Sequence, residues 1–110
     1  MNHTEILTQS VLILRDRGAQ YGSMETTMIR ACEIFELITG NELSPYHANI
    51  FMHALKLARV RTSPTKLDNY VDGINYLAFA GEFAIPKGGA EEIVNAGMRD
   101  LVDQMNTQEG

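Results

Sequence analysis

The stretch from residue 56 to residue 76, KLARVRTSPTKLDNYVDGINY, predicts two helices joined by a tight turn. Ser63-Pro64 marks the turn, because the residue before a proline avoids helical backbone geometry. Six charged side chains fall around this turn: Lys56, Arg59, Arg61, Lys66, Asp68 and Asp72. The stretch therefore predicts a helical hairpin with basic and acidic groups at its closed end, where a phosphorylated ligand can bind with or without a metal.

Helix-capping residues divide the rest of the chain into further helices. A first helix is expected from Asn2 or Thr4 to about residue 16, stopped by Gly18, with a glycine-containing loop over residues 17–22. That loop is either a tight turn or a functional loop. Ser23 and Gly40 bound a second helix, and Ser44 followed by proline starts a third. With no strand pattern anywhere, the sequence predicts an all-α fold with a four-helix bundle-like core.

Apolar residues at helical spacing predict which faces are buried. For the second helix the expected core stripe is Met24, Met28, Ala31, Phe35 and Ile38. For the third helix it is Ile50, Phe51, Ala54, Leu55 and Ala58, which leaves Asn49, His53 and Lys56 on another face. His53 is interpreted as a hydrogen-bonded side chain rather than a metal ligand, because no second histidine or cysteine lies at ligand spacing.

The last part of the chain has a different pattern. Residues 86–89, PKGG, predict a break after the fourth helix, and residues 90 to about 105 predict a C-terminal amphipathic helix. We therefore expect a helical bundle domain over residues 1–86, and a hinge with a C-terminal helix over residues 87–110. The apolar seam of that helix suits either folding back or packing against a second copy, and self-association is the favoured interpretation.

Composition and charge limit the kinds of partner. The single cysteine, Cys32, cannot form an internal disulfide, and no apolar run approaches a membrane span, so we expect a cytoplasmic protein with no membrane partner. The formal charge of −5 argues against binding a nucleic-acid polymer. Residues 43–67 nevertheless hold four cations and no acid, which favours a small anionic ligand.

The acidic residues differ in what they indicate. Asp68 fits a capping-box variant that begins at Thr65, so it is either a helix cap or a ligand group. Asp72 lies a full turn inside its helix, where capping does not explain it, and a salt bridge to Lys56 or Arg59 is the alternative to a ligand role. Glu33 and Glu36 share one helix face. That face is either a solvated acidic surface or part of a metal site.

Three groups of residues carry a resemblance: Tyr21-Gly22, Lys56-x-x-Arg59 and Asp68-x-x-x-Asp72-x-x-x-Tyr76. Over about residues 15–84 the chain resembles a family of short phage and prophage proteins of unassigned function. That family is distantly similar to the MazG-type all-α nucleotide pyrophosphohydrolases, which bind magnesium through E-x-x-E on one helix and E-x-x-D on a later one. The resemblance implies host cytoplasm as the location if the chain is phage-encoded.

Carried onto this sequence, the resemblance makes Glu33, Glu36 and Asp72 the candidate magnesium ligands. Asn69 departs from the pattern, because it stands three residues before Asp72 where the enzymes carry an acid. Magnesium demands several well-placed oxygen ligands, so the departure favours binding over hydrolysis.

Three functions follow as expectations. The first is a homo-oligomeric protein that holds a nucleotide or nucleotide-derived signal, with no catalytic residue, and sequesters it to counter host defence. Its expected ligand contacts are Lys56, Arg59, Arg61, Asp72, Tyr21 and Tyr76. The second is a magnesium-dependent nucleoside triphosphate pyrophosphohydrolase. The third is an adaptor that binds a host protein through the basic hairpin and the C-terminal helix.

Overall fold

The computed structural model describes residues 1–86 of the chain, and these residues form an all-α fold, as the sequence predicts. Four helices make up the fold: α1 His3–Tyr21, α2 Met24–Thr39, α3 Pro45–Thr62 and α4 Leu67–Ala84. The predicted C-terminal helix over residues 90–105, and the hinge before it, lie outside the described residues. Within residues 1–86 no helix is both long enough and apolar enough to cross a membrane.

α3 and α4 form the central pair of the fold. They make by far the largest helix–helix interface, α1 packs on α4, and α2 contacts α3 over a smaller area. The turn between α3 and α4 is held by two side chains from the first turn of α4. Asn69 Nδ2 donates to Ser63 O at 3.3 Å, and Tyr70 OH donates to Pro64 O at 2.8 Å. The predicted hairpin is therefore present.

The start of α4 differs from the prediction. Lys66 occupies the N-cap position and no side chain caps the helix, so the capping box from Thr65 to Asp68 is wrong. Asp68 is exposed in the first turn of α4, where a negative charge interacts favourably with the helix dipole. The side chains of Asn69 and Tyr70 fix the turn by donating to its carbonyl oxygens, whereas a capping box would have satisfied backbone N–H groups.

Serine caps and a C-terminal glycine define the ends of α2 and the start of α3, as expected. Ser23 Oγ accepts from Thr26 N at 3.4 Å, and Ser44 Oγ accepts from His47 N at 3.0 Å. Gly40 closes α2 in the left-handed conformation, with φ of 72°. Because these signals act locally, neighbouring helices do not alter them.

The predicted end of α1 at Gly18 is wrong. The helix does not stop at Gly18 but continues to Tyr21, and Gly22, with φ of 79°, ends it by donating its N–H to Gly18 O at 3.0 Å. A glycine inside a helix costs only about 1 kcal/mol relative to alanine, so it does not by itself end a helix. The loop predicted over residues 17–22 is therefore mostly the last turn of α1.

The interior of the described chain is largely polar. Nine residues are buried, and five of them are polar or charged: Ser10, Asn49, Asn69, Asp72 and Asn75. Asn49 is fully buried, and its Nδ2 donates to Pro45 O at 2.8 Å. Asn75 Nδ2 donates to Ser10 O at 3.2 Å and so links α4 to α1.

Most residues of the predicted core stripes of α2 and α3 are exposed in the described part of the chain, although Met24, Met28, Ile50 and Leu55 are half-buried. Ile38 is 78% exposed and Phe51 is 66% exposed. α3 instead turns Asn49, His53 and Lys56 inward, which is the face that the sequence interpretation left outside. Among residues 1–86 these apolar side chains stay exposed because α2 packs on the other helices over a small area, and the other face of α3 is taken by α4.

Candidate functional site

A cavity of about 440 Å³ opens between α1, the first turn of α2 and α4. Its volume lies within the range of small-molecule sites, about 300–1,000 Å³. Eleven residues line it: Leu14, Arg17, Gly18, Gly22, Ser23, Met24, Thr27, Asp72, Asn75, Tyr76 and Phe79. Apolar atoms make most of the wall surface, and two charged side chains meet at one place, which is the usual composition of a small-molecule site.

Asp72 is the charged centre of the cavity. It projects from the second turn of α4 and is 7% exposed. Lys56 reaches it from α3, with Nζ 3.1 Å from Asp72 Oδ2 and only 12% of the lysine side chain exposed. A buried carboxylate is stable only with a compensating charge nearby. The salt bridge to Lys56 that the sequence interpretation offered as an alternative is therefore present, and it occurs at the cavity.

Arg17 contacts the other oxygen of Asp72. Its Nη1 lies 3.3 Å from Asp72 Oδ1, and 45% of the arginine side chain is exposed. The contact is close enough for an ion pair, yet Oδ1 is buried and accepts no hydrogen bond. The two findings agree if the interaction is mainly Coulombic, with no N–H of the guanidinium aligned on Oδ1. Arg17 is thus the weaker of the two partners, because its exposure to water reduces the attraction.

The rest of the cavity wall near Asp72 is largely apolar and partly aromatic. Tyr76 and Phe79 follow Asp72 along α4 at one-turn spacing, and Leu14 of α1 and Met24 of α2 complete this wall. Aromatic rings of this kind bind flat ring systems through stacked or edge-on contacts. The cavity therefore offers a surface for a planar group next to a charged cluster.

Other predicted ligand residues lie elsewhere. Arg59 and Arg61 are exposed in the last turn of α3, where cations favour the negative end of the helix dipole, and neither lines the cavity. Tyr76 does line the cavity. Lys56 does not line it but forms a salt bridge with Asp72, which does. Tyr21 is the last residue of α1, and its side chain lies outside the described residues.

The predicted metal ligands are not brought together within the described part of one chain. Glu33 and Glu36 are exposed on α2, whereas Asp72 is buried on α4. No three histidine, cysteine, aspartate or glutamate side chains among residues 1–86 lie close enough to hold a metal ion. Magnesium binding through Glu33, Glu36 and Asp72 stays a prediction of the hydrolase hypothesis.

His53 has a structural contact. Its Nδ1 lies 2.6 Å from the carbonyl oxygen of Gly73, so Nδ1 carries the proton and donates it. An added Cβ at Gly73 would lie 3.5 Å from Lys56 Cβ, which shows how closely α3 and α4 approach here. The interpretation of His53 as a hydrogen-bonded interface residue agrees with this contact.

Arg17, Gly18 and Asn75 are among the lining residues that the sequence interpretation did not name as ligand contacts, although Arg17 and Gly18 belong to the loop that it considered as a functional loop. Arg17 was assigned to a loop, because Gly18 was taken as the end of α1. Ser10 and Arg17 are seven residues apart, so a continuous α1 places them on the same face. Arg17 would have been recognised as a site candidate if α1 had been predicted to continue through Gly18 as far as its cap at Gly22.

Comparison with known proteins gives one match. The family model described as domain of unknown function DUF6378 matches residues 5–84. No curated protein and no solved structure matches the chain. The matched range includes every residue that lines the cavity.

Proposed function

We propose that the chain, which belongs to the DUF6378 family, holds a nucleotide or a nucleotide-derived signal in the cavity between α1, α2 and α4. One observation carries the proposal: the cavity places Tyr76 and Phe79 beside the cluster of Arg17, Asp72 and Lys56. A nucleotide has a planar base and an anionic phosphate, and these are the two kinds of group that such a cavity can bind.

The charge of the cluster supports an anionic ligand. Two cations, Arg17 and Lys56, surround one carboxylate, so the cluster has a formal charge of +1. The whole chain has a formal charge of −5. A positive cluster in an acidic protein, set in a cavity with apolar walls, gives a local attraction for a small anion that the net charge does not suggest.

A thermal-shift screen followed by calorimetry tests the proposal. We expect at least one member of a panel of linear and cyclic nucleotides to raise Tm, since a ligand at 100 times its Kd adds about 2.7 kcal/mol to the free energy of unfolding. Substituting Arg17→Gln should weaken binding at least tenfold. The matched control Arg61→Gln removes an exposed cation outside the cavity and should leave affinity unchanged. A panel that never shifts Tm, with or without magnesium, would refute the proposal.

Sequestration is the biological role that we propose for this binding. The resemblance to short phage and prophage proteins supports a signal of host defence as the ligand. A sequestering protein must return its ligand unchanged, so denaturing the loaded protein should release the nucleotide intact. Recovery of a cleaved product would favour the pyrophosphohydrolase hypothesis instead.

Hydrolysis is the weaker candidate. Asp72 is the only one of the three predicted magnesium ligands that lines the cavity, so metal-assisted chemistry here requires acids from outside residues 1–86 of this chain. Pyrophosphate release from a nucleoside triphosphate, lost in Asp72→Asn, would establish it.

We also propose that the protein is a homo-oligomer. Leu37, Ile38 and Phe51 are 86%, 78% and 66% exposed, and large apolar side chains at this exposure are typical of interaction surfaces when they lie together. Light scattering coupled to size-exclusion chromatography tests this: the wild type should elute above 12.2 kDa and Leu37→Asp with Ile38→Asp should shift it toward the monomer. A monomeric wild type at micromolar concentration would contradict the homo-oligomer, and would leave either residues 90–105 of the same chain or a different protein, as in the adaptor hypothesis, as the partner of this surface.

A further inference from the structure

We infer that the ligand is a nucleoside phosphate with a single negative charge, a phosphodiester such as a cyclic mononucleotide, and that it takes Arg17 away from Asp72. In this arrangement the Arg17 guanidinium binds the phosphate, and Asp72 Oδ1 accepts a hydrogen bond from a hydroxyl or amino group of the ligand. The inference rests on the proposed function and specifies the ligand class and the contacts.

The two oxygens of Asp72 are unequal, and the difference points to a missing donor. Oδ2 is held by Lys56 at 3.1 Å, through a lysine side chain that is 12% exposed. Oδ1 is buried and accepts no hydrogen bond. Buried polar atoms in folded proteins are normally paired, so an unpaired carboxylate oxygen at a cavity wall calls for an explanation. A donor supplied by a ligand satisfies it.

Arg17 is suited to exchange partners. Its side chain is 45% exposed, and its contact with Oδ1 is an ion pair without an aligned hydrogen bond. A guanidinium forms two parallel hydrogen bonds with phosphate oxygens, a better geometry than the one it has with Asp72. Moving Arg17 onto a phosphate uncovers Oδ1, so the anion and the hydrogen-bond donor of one ligand are bound together.

The charged side chains at the cavity favour a ligand with a small net negative charge. Once Arg17 leaves, Lys56 and Asp72 neutralise each other, and Arg17 contributes +1. Among the lining residues Arg17 and Asp72 are the two that carry a charge. A triphosphate would bring three further negative charges that no lining residue of the described chain compensates. A phosphodiester, with one negative charge, is compensated by Arg17 alone.

Gly18 gives a second observation from the same cavity. It lies inside α1, lines the cavity, and has no atom within 4 Å of the position that a Cβ would take. Gly81 lies inside α4 with equally open surroundings but does not line the cavity. Alanine is the better helix former at both positions, so both substitutions should stabilise their helix. A Cβ at residue 18 alone would also occupy space in the cavity, so comparing the two variants separates the effect on helix stability from the effect on ligand binding.

The experiment measures affinity by calorimetry for cyclic AMP, cyclic GMP, ATP, adenosine and inorganic phosphate. We expect a cyclic mononucleotide to bind at least tenfold tighter than ATP and than adenosine, and Arg17→Gln to remove that preference over adenosine. Gly18→Ala and Gly81→Ala should each raise the Tm of the free protein by a few degrees. Gly18→Ala alone should weaken the cyclic nucleotide, by about tenfold.

The donor to Asp72 is tested with analogues of the better cyclic nucleotide that lack the ribose 2′-hydroxyl or the exocyclic amino group. One of these should bind the wild type about tenfold more weakly, and Asp72→Leu should bind that analogue and its parent equally. ATP binding tighter than both cyclic nucleotides, or two analogues that bind like the parent, would overturn the inference and leave the proposed function standing. Absence of binding by every nucleotide would overturn both.

Discussion

α4 and α2 show opposite relations between side-chain chemistry and burial. α4 buries six residues, of which Asn69, Asp72 and Asn75 are polar. α2 buries one, Cys32, and leaves Leu37 and Ile38 at 86% and 78% exposure. The helix with polar groups inside is central to the fold, whereas the helix with an apolar face outside contacts the rest over a small area.

The difference indicates that the two helices have different roles. Polar groups inside a packed helix pair cost free energy unless they are paired. Asn69 is explained by its hydrogen bond to the turn, and Asp72 and Asn75 are best explained by the cavity that they line. Exposed apolar side chains on α2 contribute nothing to the stability of one chain. They contribute when a second surface covers them. The following predictions test this division.

The largest effect is expected from breaking the buried ion pair of α4. Lys56→Met removes the partner of Asp72 Oδ2, and Arg17 remains as a half-exposed neighbour. Because an uncompensated buried carboxylate is strongly unfavourable, we expect the free energy of unfolding to fall by about 3 kcal/mol. Urea denaturation measures this loss.

Two controls separate the ion pair from the charge alone. Arg61→Met removes an exposed cation of the same helix and should change stability by less than about 0.5 kcal/mol. In the double variant Lys56→Met with Asp72→Leu, the loss should be smaller than the sum of the two single losses by at least about 1 kcal/mol. Additive losses would show that the two side chains are not coupled.

A pair of aliphatic truncations compares the two helices directly. Val71 of α4 is fully buried, so Val71→Ala should cost about 2 kcal/mol through lost burial and the cavity that remains. Leu37→Ala removes more carbon atoms but from a side chain that is 86% exposed, and should cost less than about 0.5 kcal/mol at low protein concentration. If Leu37 lies in an interface between copies, the stability lost in Leu37→Ala should increase with protein concentration. A concentration series of thermal melts distinguishes the two situations.

The sequence predicted those parts of the fold that local chemistry determines. Ser23 and Gly40 mark the ends of α2, and Ser63-Pro64 marks the turn between α3 and α4, because caps and prolines act on the nearest backbone groups. The inward faces were not predictable in this way. The interpretation assumed that apolar stripes face the core, and α3 instead turns Asn49 and His53 inward, where His53 contacts Gly73 of α4.

The site was predicted in part, for a related reason. Asp72 was identified because an aspartate inside a helix lacks a local explanation, and Tyr76 and Lys56 followed from the same stretch. Arg17 was missed because its position depends on α1 continuing through Gly18 and then packing on α4. A contact over a sequence separation of 55 residues depends on tertiary packing, which helix periodicity does not determine.

A smaller effect is expected at the start of α4. Asn69→Asp replaces the donor to Ser63 O by an acceptor, which costs about 1–3 kcal/mol when the group is buried. The new charge in the first turn of α4 regains about 0.3–1 kcal/mol from the helix dipole. We expect a net loss of about 1 kcal/mol by urea denaturation. Asp68→Asn, at an exposed position of the same turn, is the control and should lose no more than the dipole contribution; a stabilised Asn69→Asp would contradict the structural role of Asn69.

The smallest effect concerns Cys32, the one buried residue of α2. Burial raises the pKa of its thiol above the ordinary value of 9.0. Above pH 9.0 the unfolded chain therefore loses the thiol proton before the native protein does, and stability falls as pH rises. Cys32→Ala should lose less stability than the wild type between pH 9 and pH 10.5, although its stability at pH 7 is lower because apolar contacts are removed. If stability fell equally with pH in the two proteins, Cys32 would be as accessible to water as the rest of α2. In that case α2 would bury no residue, whereas α4 buries six.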